Sequence, residues 1–573
     1  MPALVRGVQG VVLVRHVLTA TLGCAASSYA HADPAATPIQ HVIIIMQENR
    51  SFDSYFGTYP GANGLDPSVC LPINLDHPAA GCVKPFHDQN DANAGSAHTS
   101  AAAMTDLGDG ITRARNDGFV MVQDHAKLNG KCKKDPTDPL CVGTGLGLAQ
   151  HDVMGYHTGD EIPNYWQYAR NFVLQDAMFP GVRSWSLPAH LDLVSEWVAT
   201  CTNPVRALSC TTTTSIAFGH VMKDQFPWVS LFQLFDVHGV TWKYYLVTGA
   251  EPDCADDEME CQPVRQKSQV PSIWNPGPGF TYVKAQGAAY RTQHFAPMTQ
   301  LATDITNGKL PQASWVIPDF DVSEHPPSSI AAGMVYVTSI INMVMASPYW
   351  NNTAIFVAWD DWGGFYDHVV PPIADMNATK TPVQGFGIRV PGLMISTYAK
   401  PGYIDHAIYS DDSYATLLED WFAGGARLNP SKLGNPDHRP TIRDALTSVT
   451  TIKGKSVPLG DLRSEFDFTQ TPLRPLILST LIPTNITATC SVNAHFMCTL
   501  PTVTIAWAPV VVPPGSSVTY GVVRDGTRLP GCTGKATTCT DQPGKGTHYY
   551  RAYAIDATGI ASPLSPAAEA IEP

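Results

Sequence analysis

Four short apolar runs constrain this chain most: residues 41–46 (HVIIIM), 313–318 (ASWVIP), 354–359 (AIFVAW) and 391–396 (PGLMIS). None shows the alternation that one wet face imposes. Strands of this kind must be covered on both sides, the condition of a parallel sheet sandwiched by helices. Helical stretches at 164–171, 187–199, 329–345 and 413–422 supply the cover. The pattern predicts an α/β fold with a largely parallel sheet. Past the prolines at Pro472, Pro475 and Pro483 the style changes to short alternating strands, at 502–507, 517–524 and 547–555, with Asp525-Gly526 as a turn. We therefore expect three parts: a leader over 1–32, a main domain over 33–480 and a small all-β sandwich over 485–573.

The leader carries Arg6, a mostly apolar stretch over 11–24 and an Ala30-His31-Ala32 cleavage signal, the pattern of a secretory signal peptide. Cysteine usage agrees. Of thirteen cysteines, all but Cys24 fall into six close pairs: Cys70/Cys82, Cys132/Cys141, Cys201/Cys210, Cys254/Cys261, Cys490/Cys498 and Cys532/Cys539. None has the C-x2-C spacing of a structural zinc site, so local disulfides in a secreted or periplasmic protein are expected. The 36 basic and 50 acidic side chains give a net charge of −14 without a basic stripe, which argues against a nucleic-acid partner. No later run reaches the roughly 18 apolar residues of a membrane span. No integral membrane segment is expected, and transient contact with a membrane surface stays open.

Chemistry is concentrated just past the strands. HVIIIM runs into Gln47-Glu48-Asn49-Arg50-Ser51-Phe52-Asp53, and AIFVAW into Asp360-Asp361-Trp362-Gly363-Gly364. Ligands of open α/β sheets bind beyond the carboxyl ends of strands. Carboxylates and a carboxamide there are hard oxygen donors for a cation, and adjacent acids repel unless something compensates. Ser186 opens a helical stretch, where a hydroxyl meets the positive end of the helix dipole; the plainer reading is an N-cap. His325, after ASWVIP, is a candidate acid or phosphate ligand; taken alone, the plainer reading is a structural loop histidine. The aromatics Tyr165, Trp166, Trp185, Trp359, Trp362 and Tyr366 lie near these segments. They suit either core packing or a cage for a choline ammonium.

PIQHVIIIMQENRSFDSYFGTYPG, MGYHTGDEIPNYWQYARNFVLQDAMFPGVRSWSLPAHL, LPQASWVIPDFDVSEHPPSS and AWDDWGGFYDHVVPP together resemble the bacterial phosphoesterase family. That family holds phosphatidylcholine-type phospholipases C and secreted acid phosphatases and is similar in fold to alkaline phosphatases. The resemblance spans roughly residues 38–440. It implies a divalent metal (Ca, Mg, Mn, Zn or Fe) on Glu48, Asn49, Ser186, Asp360 and Asp361. It also implies Ser186 as nucleophile, His98 as a substrate-side histidine and His325 as phosphoryl contact or acid. Phospholipases usually carry Thr at position 186 and acid phosphatases Ser. Ala189-His190 replaces the usual Asn-Arg. Asp-Asp-Trp-Gly-Gly stands where phospholipases more often read Asp-Glu followed by Asn or His.

The expected activity is hydrolysis of a phosphate monoester through a phosphoserine, with a phospholipid substrate and phospholipase C activity as the alternative. The segment from 485 resembles a fibronectin type III module through Val503, Ile505, Trp507, Tyr520, Tyr549, Tyr553, Asp556, Gly559 and Ser562. It implies a binding or spacer role with an unknown ligand. An inactive surface-binding protein that keeps an old enzyme fold is the remaining contender. A sulfatase-like reading lacks the C-x-P-x-R nucleophile segment.

Overall fold

The chain is described by a computed structural model over residues 37–108, 115–125, 151–198, 200–201, 210–211, 226–252, 264–374, 386–434, 439, 441–491, 498 and 502–572. The leader at 1–32 and the pairs Cys132/Cys141 and Cys254/Cys261 lie outside these residues. Disulfides join Cys70 to Cys82, Cys490 to Cys498 and Cys532 to Cys539. Cys201 stands opposite Cys210 across a two-residue antiparallel ladder.

A nine-stranded mixed sheet forms the centre of the main body. In chain order its strands are β1 (His41–Gln47), β2 (Val173–Phe179), β3 (Trp242–Leu246), β4 (Phe295–Pro297), β5 (Ala313–Ile317), β6 (Thr353–Trp359), β7 (Val390–Ser396), β8 (Tyr403–Asp405) and β9 (Tyr409–Ser410). They lie in the order β4-β3-β5-β1-β6-β7-β2-β8, with β9 also on β2. Most neighbours are parallel; among the described strands of this sheet, β7 alone runs antiparallel to both of its neighbours. Every residue of β5, β6 and β7 is buried. Helices α1 (Phe52–Phe56), α2 (Pro163–Asn171), α3 (Ser186–Ser195), α4 (Leu231–His238), α5 (Ile330–Met345) and α6 (Asp411–Phe422) contribute buried faces to the same apolar core. The four apolar runs are thus strands, as expected for double-sided cover.

β1 lies mid-sheet between β5 and β6, both parallel to it. Its register with β6 pairs Gln47 with Trp359. The residues that follow each strand, Glu48-Asn49 and Asp360-Asp361, therefore leave the sheet side by side.

The carboxyl-terminal unit has two antiparallel sheets. One comprises β10 (Thr484–Thr489), β11 (Val503–Ala508) and β14 (Thr538–Asp541). The other orders β13 (Thr527–Gly534), β12 (Thr519–Arg524), β15 (Gly546–Ile555) and β16 (Ala568–Glu572). Inward positions alternate along β11, and Val503, Ile505, Trp507, Tyr520, Val522 and Tyr550 fill the space between. Asp525 and Gly526 both have positive φ, 49° and 79°, which suits the two-residue hairpin joining β12 to β13.

The unit is bonded to the main body. Arg551 pairs with the buried Glu161 and donates to Gln89 Oε1 (3.0 Å) and Asp160 O (3.3 Å). His87 Nε2 lies 2.8 Å from Glu161 Oε2. Burial alone would raise Glu161, but the His87 hydrogen bond and the Arg551 charge outweigh it and hold the carboxyl down at about 2, from an ordinary 4.5. The stability from this group is present above pH 4.5 and is lost as pH falls through about 2, because the unfolded chain takes up the proton first. Glu161→Gln is expected to cost about 3 kcal/mol at neutral pH. It should also flatten the fall of the unfolding temperature on acidification, measured by calorimetry. An unchanged acid slope would contradict this account.

Candidate active site

Glu48, Asn49, Asp360, Asp361 and Ser186 converge, all of them buried. Ser186 is the first residue of α3, behind the N-cap Trp185, and donates its Oγ–H to Glu48 Oε2 at 3.1 Å. Asn49 N donates to Asp360 Oδ1 at 3.0 Å and Asn49 Nδ2 to Asp361 Oδ1 at 2.8 Å. Asp361 Oδ1 also receives Gly363 N at 2.7 Å. Two glycines allow this tight return. A Cβ on Gly363 would stand 2.6 Å from Asn49 Cβ, one on Gly364 would stand 2.4 Å from Ser96 Cβ, and both residues have positive φ. Asn49 itself takes a left-handed φ of 61°, which asparagine tolerates better than most residues.

The hydrogen bonds orient the amide. Asp361 only accepts, so the nitrogen of Asn49 faces it. His98 places Nδ1 against Ser96 O at 2.9 Å, which puts its proton there, and Nε2 receives Asn49 Nδ2 at 3.3 Å. Asn49 Oδ1 is then turned elsewhere. It and Asp360 Oδ2 are buried acceptors without a hydrogen-bond donor.

His190 joins the cluster unannounced by the motif reading. It lies one helical turn beyond Ser186 on the same face of α3. Its Nε2 is 3.0 Å from Glu48 Oε1 and 4.0 Å from Asp360 Oδ2. Ligand atoms of Glu48, His190 and Asp360 all fall within 4.8 Å of one another. Behind it, Tyr244 OH donates to Trp274 O at 2.7 Å and stands 3.4 Å from His190 Nδ1. Having given away its one proton, that hydroxyl meets Nδ1–H as an acceptor, so Nε2 donates to Glu48 Oε1 in the imidazolium and offers its lone pair in the neutral ring. Trp274 in turn packs on His325, whose ring lies 6.2 Å from that of His98. His325 Nδ1 is 2.7 Å from Pro326 O, so its Nε2 is the nitrogen left for chemistry.

Carboxylates this close repel by about 3–4 kcal/mol at an effective dielectric near 20. Burial pushes Asp360 well above its ordinary range, the charge of Glu48 adds to the rise, and His190 offsets only part of it. A divalent ion removes this conflict, and the orphaned Asn49 Oδ1 and Asp360 Oδ2 are oxygen donors of the kind it takes, so the residues fit one. A second acid group, Asp53, Asp367 and His368, differs: Arg389 bonds both aspartates at 3.0 Å and is already its cation.

Glu324, next to His325 in the quoted motif, has no role in the sequence reading. It accepts from Tyr55 (2.7 Å), Tyr165 (2.5 Å) and Trp359 (3.0 Å), and burial lifts it to about 7 against those bonds. Of the aromatics considered for a choline cage, Tyr165 and Trp359 are thus tied to Glu324, Trp362 to Asp106 and Trp166 to the Tyr55 carbonyl. All six are buried, which supports core packing over a cage.

Among known proteins, residues 39–423 match the model of the Phosphoesterase family. Phospholipase C A of Mycobacterium tuberculosis is 26% identical over 389 residues, covering 64% of this chain and 69% of the relative. Non-hemolytic phospholipase C of Pseudomonas aeruginosa is 25% identical over 459 residues, 73% of this chain and 59% of that protein. Non-specific phospholipase C1 of Arabidopsis thaliana is 23% identical over 393 residues, 64% and 62%. Similar solved structures include a protein in the alkaline phosphatase superfamily from Vibrio parahaemolyticus (TM-score 0.27, 12% identity, 74% of this chain and 80% of that one). Another is the lipoteichoic acid synthase LtaP from Listeria monocytogenes (TM-score 0.32, 9% identity, 76% and 91%). At these scores the architecture rests on the chain's own strand order.

If like-charge crowding dominates the cluster, Asp360→Asn should raise the unfolding temperature of chelator-treated protein. It should also shrink the further rise on adding a divalent ion, read by differential scanning fluorimetry. A variant less stable than the parent in chelator, with an undiminished ion-dependent rise, would contradict the assignment.

Proposed function

The chain belongs to the Phosphoesterase family, and we propose that it hydrolyses phosphate esters with Ser186 as nucleophile, through a phosphoserine. It is a hydrolase acting on phosphoric ester bonds. The observation that carries the finer reading is the Ser186 hydroxyl held against Glu48 at 3.1 Å, at the start of α3, inside the oxygen cluster.

Glu48, Asn49, Asp360, Asp361, Ser186 and, as a nitrogen donor, His190 would hold a divalent ion. When bound, it supplies charge for the nucleophile and for a nonbridging phosphoryl oxygen. The nitrogen shifts the donor set from purely hard toward one that also suits Mn, Fe or Zn. Ser186 Oγ forms the bond to phosphorus as the ester oxygen departs in line. Glu48 Oε2, already the acceptor of the hydroxyl hydrogen, takes that proton. The first peptide groups of α3 stabilise charge on Oγ. The leaving oxygen takes its proton from Nε2 of protonated His325, with His98 beside it on the substrate side. Water then attacks the phosphoserine, its proton restores His325, and Ser186 recovers its own from Glu48. Most of the rate comes from positioning and charge, as phosphoryl transfer requires.

Two substrate readings have separate support. A serine at position 186 favours phosphate monoesters, as in acid phosphatases. The three relatives named above, each a phospholipase C, favour a phospholipid diester cut on its glycerol side. The disulfides support export. The carboxyl-terminal sandwich is read as fibronectin type III-like, with the division near residues 480–485.

Ser186→Ala should lose at least about a thousandfold in kcat while retaining the fold and its bound divalent ion. Assays of the parent with p-nitrophenyl phosphate and with phosphatidylcholine vesicles, with and without chelator, separate the two substrates. Substantial turnover by Ser186→Ala would exclude it as nucleophile.

A further inference from the structure

His98 and His325 stand on loops, yet both loops are tied to one buried pair, Asp91 and Ser329. Asp91 Oδ2 accepts from Ser329 Oγ at 2.7 Å, Asp91 Oδ1 from Ala331 N at 2.9 Å and Asp91 O from Ile330 N at 2.8 Å. Ser329 is also the N-cap of α5, its Oγ accepting from Ala332 N at 3.0 Å. Asp91 precedes His98 in one loop, and Ser329 follows His325 closely in the other. Nearer the site the loops are pinned again, by Ser328 N on His325 O (2.7 Å) and Ser96 N on Gly363 O (2.9 Å).

The third partner of the pair is the carboxyl-terminal sandwich. Asn485 N, in β10, donates to Ser329 Oγ at 3.3 Å, and the backbone N–H groups of Asn485 and Ile486 face the Asp91 carboxylate. Ala567, just before β16, accepts from Asp91 N at 3.0 Å and donates to Gln89 O at 2.5 Å. The first strand of the sandwich and the residue that leads into its last therefore bond to the two residues that hold the histidine loops. Arg551 fastens the same contact through Gln89 and Glu161. A tethered spacer module does not need buried bonds of this kind.

We propose that the Asp91–Ser329 joint makes the carboxyl-terminal sandwich part of the catalytic machinery: its docking sets the placement of His98 and His325. Asp91 and Ser329 are positioning residues, acting through those histidines. This rests on the reading of His325 as the acid that protonates the leaving oxygen. An alkyl alcohol needs that proton as the P–O bond breaks, whereas p-nitrophenolate departs without it. Loosening the joint therefore penalises alkyl esters selectively.

The test uses the full chain and matched p-nitrophenyl and n-butyl esters, of phosphate or of phosphocholine according to which the parent hydrolyses. kcat/KM is measured for Asp91→Ala, Asp91→Asn, Arg551→Met and His325→Ala. We expect Asp91→Ala to lose at least about tenfold more on the butyl than on the aryl ester. Asp91→Asn should recover much of the loss, and Arg551→Met should show a smaller split of the same sign. Equal losses on both esters, or none, in Asp91→Ala overturn the proposal; if that variant does not fold, Arg551→Met decides on the same criterion. A split in His325→Ala without one in the joint variants overturns the joint alone. No split in His325→Ala overturns the joint together with the acid role beneath it, leaving Ser186 as nucleophile to stand on its own assay.

Discussion

Three carboxylates and a carboxamide oxygen are buried where two neighbouring parallel strands end, and the cost of keeping them there governs the site. The register of β1 with β6 brings Glu48-Asn49 against Asp360-Asp361. Partial relief comes from hydrogen bonds: Asn49 N and Asp361 N on Asp360, Asn49 Nδ2 and Gly363 N on Asp361, Ser186 Oγ on Glu48. These bonds satisfy some lone pairs and leave others, Asp360 Oδ2 and Asn49 Oδ1 among them, without a donor. A buried arrangement of this kind keeps all its carboxylates ionised only with positive charge supplied. The neighbouring Asp53–Asp367 pair makes the contrast, because there a guanidinium supplies it.

From that constraint the surrounding contacts follow as a closed circuit. Ser186 touches Glu48, Glu48 touches His190, and Tyr244 and Trp274 lead to His325. The ring of His98 closes the path back to Asn49. Each histidine has one nitrogen set by a backbone carbonyl or a tyrosine oxygen; the other meets Asn49 Nδ2 in His98 and Glu48 Oε1 in His190. That is preorganisation, and it matters most for a reaction whose transition state asks for placed charge more than for covalent participation.

Much of this was legible in residue patterns, and the omissions have physical causes. Continuous apolar runs announced β1, β5, β6 and β7, but a strand buried on both faces carries no mark of its direction, so the antiparallel sense of β7 was invisible. β2 (VLQDAMF) gives no such run, because Gln175 and Asp176 interrupt its apolar character; both are buried, Gln175 with its Nε2 on Glu465. His190 stands out in the sequence only as a departure from a family pattern, although its spacing from Ser186 is that of one helix face. Glu324 gave no signal, since three aromatic donors from distant segments define it. The Asp91–Ser329 joint was equally hidden, because an isolated acid in a polar stretch looks like solvated loop until the sandwich is seen against it.

The claim beneath all of this is that the strand-end oxygens share one cation beside Ser186. Anomalous X-ray diffraction from crystals of the full chain grown with Mn or Zn tests it most directly. The account predicts one peak at about 2.0–2.6 Å from oxygens of Glu48, Asn49 and Asp360, with Ser186 Oγ in contact. Well-ordered side chains around an ion-free centre, in protein that still hydrolyses phosphate esters in excess chelator, would contradict it.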